Sequence, residues 1–200
     1  MKKFIFALMV CAVTMSSFAL GKTKVKRVES SAITDLDGYW NDTDVRIVCD
    51  SLIDECVNSP RIAKFEEENG RPGLVIVGKI VNDCDEKIDT SIIEKKLRSA
   101  IINSGVLEFV VSKDERAQLR DEKMDQEQHA SLDTAKSMDN EAGADFMLTG
   151  SVKSIVQKEG KYGVRTYFVN VVLSSIETNR IIWQGENDEI KKEIKNQKKK

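Results

Sequence analysis

The apolar positions of this 200-residue chain change their spacing along its length, and each change marks a new element. Val45, Val48, Cys49, Leu52, Cys56 and Val57 recur every three or four residues, which is one stripe of an amphipathic helix. Asn41, Asp42 and Thr43 stand just ahead of that stripe. All three are residue types whose side-chain oxygens accept orphan amide hydrogens, and Asp42 and Asp44 also favour the positive end of the helix dipole. The stretch "GYWNDTDVRIV", 38 to 48, therefore reads as a helix start rather than a cluster of reactive groups. Tyr39 and Trp40 either fold back over the first turn or form an aromatic anchor for a partner. "NSPRI" ends the helix, and "AKFEEENGRPG" reads as a polar connector holding one helical turn.

"LVIVGKIVN", 74 to 82, is rich in β-branched residues and reads as a strand long enough to be central in a sheet. Ser91 and Glu94 have capping-box spacing, and Ile92, Ile93, Leu97, Ala100 and Ile101 form the buried stripe of a helix that Gly105 closes. "VLEFVVS" returns as a second strand, and Ser112 with Glu115 repeats the box to open a charged helix, "KDERAQLRDEKMDQEQ". Its apolar face is little more than Ala117, Leu119 and Met124, which places it on the surface. A further helical stretch, "SLDTAKSMDNEAG", ends at Gly143. Three strands follow, "ADFMLTGSVKSIV", "VRTYFVNVVLSSI" and "IIWQGEN", joined by the turn-like "KEGKYG" and "ETNR" as antiparallel hairpins. This order predicts one α+β domain, a mixed sheet of four to five strands packed with helices, or an open α/β sandwich.

The first residues stand apart. Lys2 and Lys3 precede an apolar run from Phe4 to Val13 that gives way to small and polar residues, with Ala19 and Gly21 three and one before Lys22. Residues 1–21 read as a cleaved secretory signal peptide. The rival reading is lipidation at Cys11, although Val10 is bulky and the apolar run continues past the cysteine. Once Cys11 has left with the signal, Cys49, Cys56 and Cys84 remain, and an odd number implies no disulfide framework. Cys49 and Cys56, seven apart on one helix, lie about 10 Å apart, beyond disulfide reach. With no C-x-x-C spacing and the single His129 in a polar run, no metal site is expected.

Charge refines the domain boundaries. Four cations stand in 22–27 and six in 189–200, while residues 28–188 hold 19 Lys and Arg against 31 Asp and Glu, a net charge near −12. The expected organisation is a signal at 1–21, a short basic and polar linker at 22–37, a globular domain at 38–188 and a lysine-rich tail at 189–200. The basic ends suit solvent, or contact with anionic lipid or wall polymer. An acidic, exported domain does not suit nucleic acid.

"LVIVGKIVNDCDEKIDTSIIEKKLRSAIINSGVLEFVVS", "AGADFMLTGSV" and "VVLSSIETNRIIWQG" resemble the globular domain of the LpoB family, the penicillin-binding-protein activators of bacterial envelopes. The resemblance covers about residues 38 to 192 and lies in the order and spacing of its marks: the strand ending at Asn82, the helix opening at "IDTSIIE", the "GAD" before a strand, and the "ETNRIIW" hairpin. It implies a fold like the amino-terminal domain of TolB. The implied role is non-catalytic: binding a bifunctional peptidoglycan synthase from the outer-membrane side and stimulating its polymerising and crosslinking activities. The chain departs from the family pattern in having no long proline-rich linker, since residues 22–37 span at most about 55 Å when extended.

An enzyme would need a nucleophile with its base, paired acids, a metal set or a phosphate loop. The chain has one His, no G-x-S-x-G, and in "VGKI" a Gly-Lys pair without the rest of a phosphate-loop motif. No catalytic residue, cofactor or metal is expected. The alternative is a structural subunit of an envelope assembly, such as a pore related to the curli exporter, which would need transmembrane strands of about 9 to 11 alternating residues. For a binding protein, Tyr39, Trp40 and Arg46 are the candidate contact surface, because aromatic residues and Arg dominate interface energies. Trp40 fits a core position equally well.

Overall fold

The computed structural model describes residues 26–129 and 141–195. Cys11, Ala19, Gly21 and most of the stretch expected to be helical before Gly143 lie outside the described residues; Glu141 to Gly143 have no regular structure. Met1–Ala32 and Ile33–Lys200 are separate compact units. The described part of the first holds one turn, in which the Ala32 amide donates to the Glu29 carbonyl at 3.0 Å.

In the second unit, α1 spans Asp42–Val57 and buries the expected stripe of Val45, Val48, Cys49, Leu52 and Cys56. Ser59 and Pro60 end it, but Pro60 also starts α2, Pro60–Asn69, where a polar connector was expected. Proline at the first helical turn has no amide to satisfy, and Gly70 at φ 66 supplies the left-handed cap. The apolar contact that holds this helix is small, Ile62 in the core and Phe65 edge-on to Phe146 at 4.8 Å, so the charged run beside it hides the periodicity.

Strand β1, Gly73–Asp83, runs parallel to both β2, Leu107–Phe109, and β3, Phe146–Glu159. Between β1 and β2 lies α3, Thr90–Ser104, whose cap is Asp89, accepting from the Ser91 amide at 3.1 Å, rather than the expected Ser91. Glu94, the expected box partner, instead accepts from the Ile80 amide at 3.2 Å and ties the helix to a bulge in β1. The Ser112–Glu115 box does form at the start of α4, Lys113–His129, which buries no residue. Strand β4, Tyr162–Ser175, pairs antiparallel with β3 along its whole length and with β5, Ile181–Asn187, at one end. The sheet order is β2-β1-β3-β4-β5, and the fold is α+β.

A sixth strand corrects the reading of 189–200 as a tail. β6, Lys191–Lys195, pairs antiparallel with the other end of β4, Tyr162 opposite Lys195. Ile190 and Lys192 are buried. Three lysines in this strand conceal a period-two alternation in which Ile190, Lys192 and Ile194 turn inward.

Along β4, Gly163, Arg165, Tyr167, Val169, Val171 and Leu173 face inward. α1, α2 and α3 pack on that side, α1 against α3 and β5, α3 against β1 and β2. The core includes Leu52, Ile93, Leu97, Phe146, Leu148 and Tyr167, each at most 2% exposed.

Cys49, Cys56 and Cys84 are unpaired thiols. Burial pushes Cys49 up to about 11 and Cys56 up to about 12. Both are expected to resist a maleimide in the native protein and react only on unfolding, while half-buried Cys84 reacts first. Mass spectrometry of a labelling time course checks the order.

Candidate functional site

The segment from Ile33 to Trp40 crosses the inner side of the sheet beside β6 and leads into α1. Asn41 is the true cap: its side chain accepts from the amides of Thr43 and Asp44 at 2.9 and 3.2 Å, while the Asp44 carboxylate takes the Asn41 amide at 2.9 Å. The Asn41 amide group also reaches back to Thr34 and Asp35 at 3.2 and 2.8 Å, so one residue starts the helix and pins the segment. Asn41→Ala is expected to cost about 0.5–2 kcal/mol, read from a urea midpoint, with the helix content of the native state preserved.

Two buried cations hold the segment from below. Arg165, its side chain 5% exposed, meets Glu86 at 2.5 Å and Asp85 at 3.0 Å. Tyr167 donates its hydroxyl to the same Glu86 oxygen, and the other Glu86 oxygen accepts from the Trp40 amide at 3.1 Å. Burial alone opposes charge on Arg165, but the hydrogen bonds with Tyr167 and Glu86 outweigh it and its pKa lies above the usual value. Burial, then the neighbouring Glu86 carboxylate, pushes the Tyr167 phenol up as well. The second cation, Lys192, reaches Asp44 at 2.6 Å, Asp35 at 2.8 Å and the Tyr39 carbonyl at 2.7 Å. Burial raises the Asp44 carboxyl despite that contact, whereas hydrogen bonding to Lys192 lowers exposed Asp35. At Gly38 a Cβ would collide with Ile194, so a glycine lets the segment lie flat on β6.

Tyr39 and Trp40 do meet in this cluster. Tyr39 is 53% exposed, with the Arg165 guanidinium 4.9 Å from its ring centre. Trp40 is half-buried against the core, edge-on to Tyr167 at 5.1 Å. Arg46 sits half-buried on α1 and is not a free cation. The sequence reading missed Arg165, Glu86 and Lys192. A signal existed for Arg165: in "VRTYFV" the strand period puts it on the same side as Tyr167 and Val169, and a cation on the core side needs a buried acid.

The arrangement can organise a surface: Arg165 and Lys192 are each paired with two carboxylates, while the buried Nε of Arg165 has no hydrogen-bond partner among the described residues. Among the described residues no group of His, Cys, Asp or Glu could hold a metal ion, and no helix is long and apolar enough to cross a membrane. A groove of about 430 Å³ beside the segment is lined by Asp35, Gly38, Lys192 and Ile194.

Residues 44–189 match the family model described as "Peptidoglycan-synthase activator LpoB". The chain belongs to the LpoB family. Among solved structures it resembles the LpoB C-terminal domain from Escherichia coli at 20% identity, covering 64% of this chain and 91% of that one with a TM-score of 0.37. The LpoB C-terminal domain from Salmonella enterica gives 17% identity, coverage of 66% and 95%, and a TM-score of 0.34. Lipoprotein GNA1162 from Neisseria meningitidis gives 15% identity, 61% and 84%, and 0.39. No curated protein matches the chain significantly. The family match begins at Asp44, in the first turn of α1, and ends just before β6, so Lys192 and the segment from Ile33 to Trp40 lie outside the matched range.

Proposed function

We propose that this chain is a non-catalytic envelope protein that binds a penicillin-binding protein and stimulates its synthesis of peptidoglycan. The match of residues 44–189 to the synthase-activator family carries the reading. It is exported by the signal at 1–21 and works in the periplasm, on the outer-membrane side; an acylated Cys11 would anchor it there, and cleavage near Ala19 or Gly21 would leave it free. Its basic ends contact anionic lipid or wall polymer.

The synthase meets the surface around Tyr39, Trp40 and Arg46. Tyr39 is the exposed member, held rigid over Arg165, and a pre-ordered aromatic side chain loses little entropy on binding. Trp40 supports it from the core side. The test is affinity capture from crosslinked envelopes, comparing the native chain with a Tyr39→Ser, Arg46→Ala variant whose thermal unfolding shows it folded. Recovery of a penicillin-binding protein by the native chain and its loss in the variant support the reading. Equal recovery moves the contact elsewhere, and no synthase with either chain removes the function.

A further inference from the structure

At the edge of the sheet away from β5 and β6, β2 runs into α4. Val110 and Val111 leave the strand, and only Ser112 separates them from the helix. Arg116, Leu119 and Lys123, spaced three and four apart, share one face of α4. With the two valines, and with Glu141 and Ala142 from the chain that leads to β3, they line a hollow of about 160 Å³. That is the volume of about five waters, too small for a drug-sized molecule but suited to one small group.

Val110, Val111, Leu119 and Ala142 give the hollow apolar sides. The charges around it are three cations and one acid. Arg120 is taken up by Glu141, whose carboxylate accepts from its Nε at 2.8 Å and its Nη2 at 2.7 Å. Arg116 and Lys123 are both half-buried on a helix that mostly faces solvent, and neither forms an ion pair with a carboxylate among the described residues. Arg116 is also short of acceptors. Its Nη2 donates to the Val111 carbonyl at a long 3.4 Å, and its Nε is buried with no hydrogen-bond partner among the described residues. Hydrogen bonding to Arg120, with the charges of Arg120, Lys123 and Arg116, outweighs desolvation and holds the Glu141 carboxyl below its usual range. An anion is therefore favoured at this place, although the domain is acidic as a whole.

We infer that this hollow binds a carboxylate carried on a small apolar group, supplied either by the carboxy-terminal residue of a peptide or by a free short-chain acid. The apolar group lies against Val110, Val111 and Leu119, and the carboxylate against Arg116 and Lys123. A carboxylate accepts two parallel bonds from a guanidinium edge, and a turn of the Arg116 side chain that offers its Nε gives up only the 3.4 Å bond. Phosphate would use the cations and leave the apolar sides in water. A neutral apolar ligand would cover those sides and leave the guanidinium without an acceptor. Because β2 and β6 lie at opposite edges of the sheet, this site is separate from the surface around Tyr39 and does not rest on the synthase reading.

The test is an NMR titration of the native chain that follows the Arg116 Nε–H and the amides of Val110, Val111 and Ala142. The probes are an acetylated Gly-Gly-Val peptide with a free carboxyl end, the same peptide amidated, isovalerate and inorganic phosphate. The free-carboxyl peptide, isovalerate or both are expected to shift these signals, while the amidated peptide and phosphate leave them in place. Shifts with the peptide alone identify a chain terminus as the ligand, and equal affinity for isovalerate identifies a free acid. Arg116→Gln should weaken binding at least about tenfold and Lys123→Gln about threefold, read from the Val111 amide in variants that thermal unfolding shows to be folded. Lys64→Gln, on α2, should leave binding unchanged. No shift with either carboxylate, equal shifts with the amidated peptide or with phosphate, or binding indifferent to Arg116→Gln overturns the inference. Equal weakening by Lys64→Gln does so too.

Discussion

Arg165→Met is expected to destabilise the domain by about 3–5 kcal/mol, because it leaves the carboxylate of Glu86 buried without its cation. Glu86 is only 11% exposed at its side chain, and the remaining donors, the Tyr167 hydroxyl and the Trp40 amide, cannot supply a positive charge. Against a total stability of about 5–15 kcal/mol the loss is large. A second change, Glu86→Gln, should return much of it, since the cost is the unpaired charge rather than the absent bond. Urea unfolding of the two variants measures both. A loss under about 1 kcal/mol for Arg165→Met would mean that Glu86 reaches water and that the cluster is not sealed.

Lys192→Met should have a comparable effect, about 3–5 kcal/mol, for the same reason: Asp44, its side chain 4% exposed, loses the cation paired with it. The result would also separate a structural β6 from a solvated tail, for which the same change would be silent. The pH dependence has a definite sign. Hydrogen bonds to Asp35 and Asp44 outweigh burial and raise Lys192 above its ordinary value of 10.5. Its contribution is therefore complete below pH 10.5 and lost as pH rises through the raised value. Thermal unfolding against pH should show the native chain losing stability in that alkaline window, with Lys192→Met lacking that component.

The legible parts of the fold were those where a single chemical signal governs. The stripe from Val45 to Cys56, the box at Ser112 and Glu115, and the three late strands each carry an unbroken period or a fixed spacing. α2 was missed because its packing rests on Ile62 and Phe65 alone, amid charged residues. The cap of α3 moved from Ser91 to Asp89 because Glu94, which would complete a box, is taken by the Ile80 amide, a tertiary contact no local pattern announces. β6 was hidden by composition: a lysine count reads as a tail until Asp44 and Asp35 are known to wait opposite Lys192. At the candidate site, the aromatic pair Tyr39 and Trp40 was legible, while the partners that fix them come from positions 86, 165 and 192, which the fold brings together from the loop after β1, from β4 and from β6.

The proposed function is contact with a synthase. The most direct measurement is the rate of glycan polymerisation by the purified bifunctional synthase of the same host, with and without an equimolar amount of this chain. The account predicts a complex of the two proteins and a faster rate, both lost with Tyr39→Ser in a folded chain. A folded native chain that forms no complex and leaves the rate unchanged would contradict it.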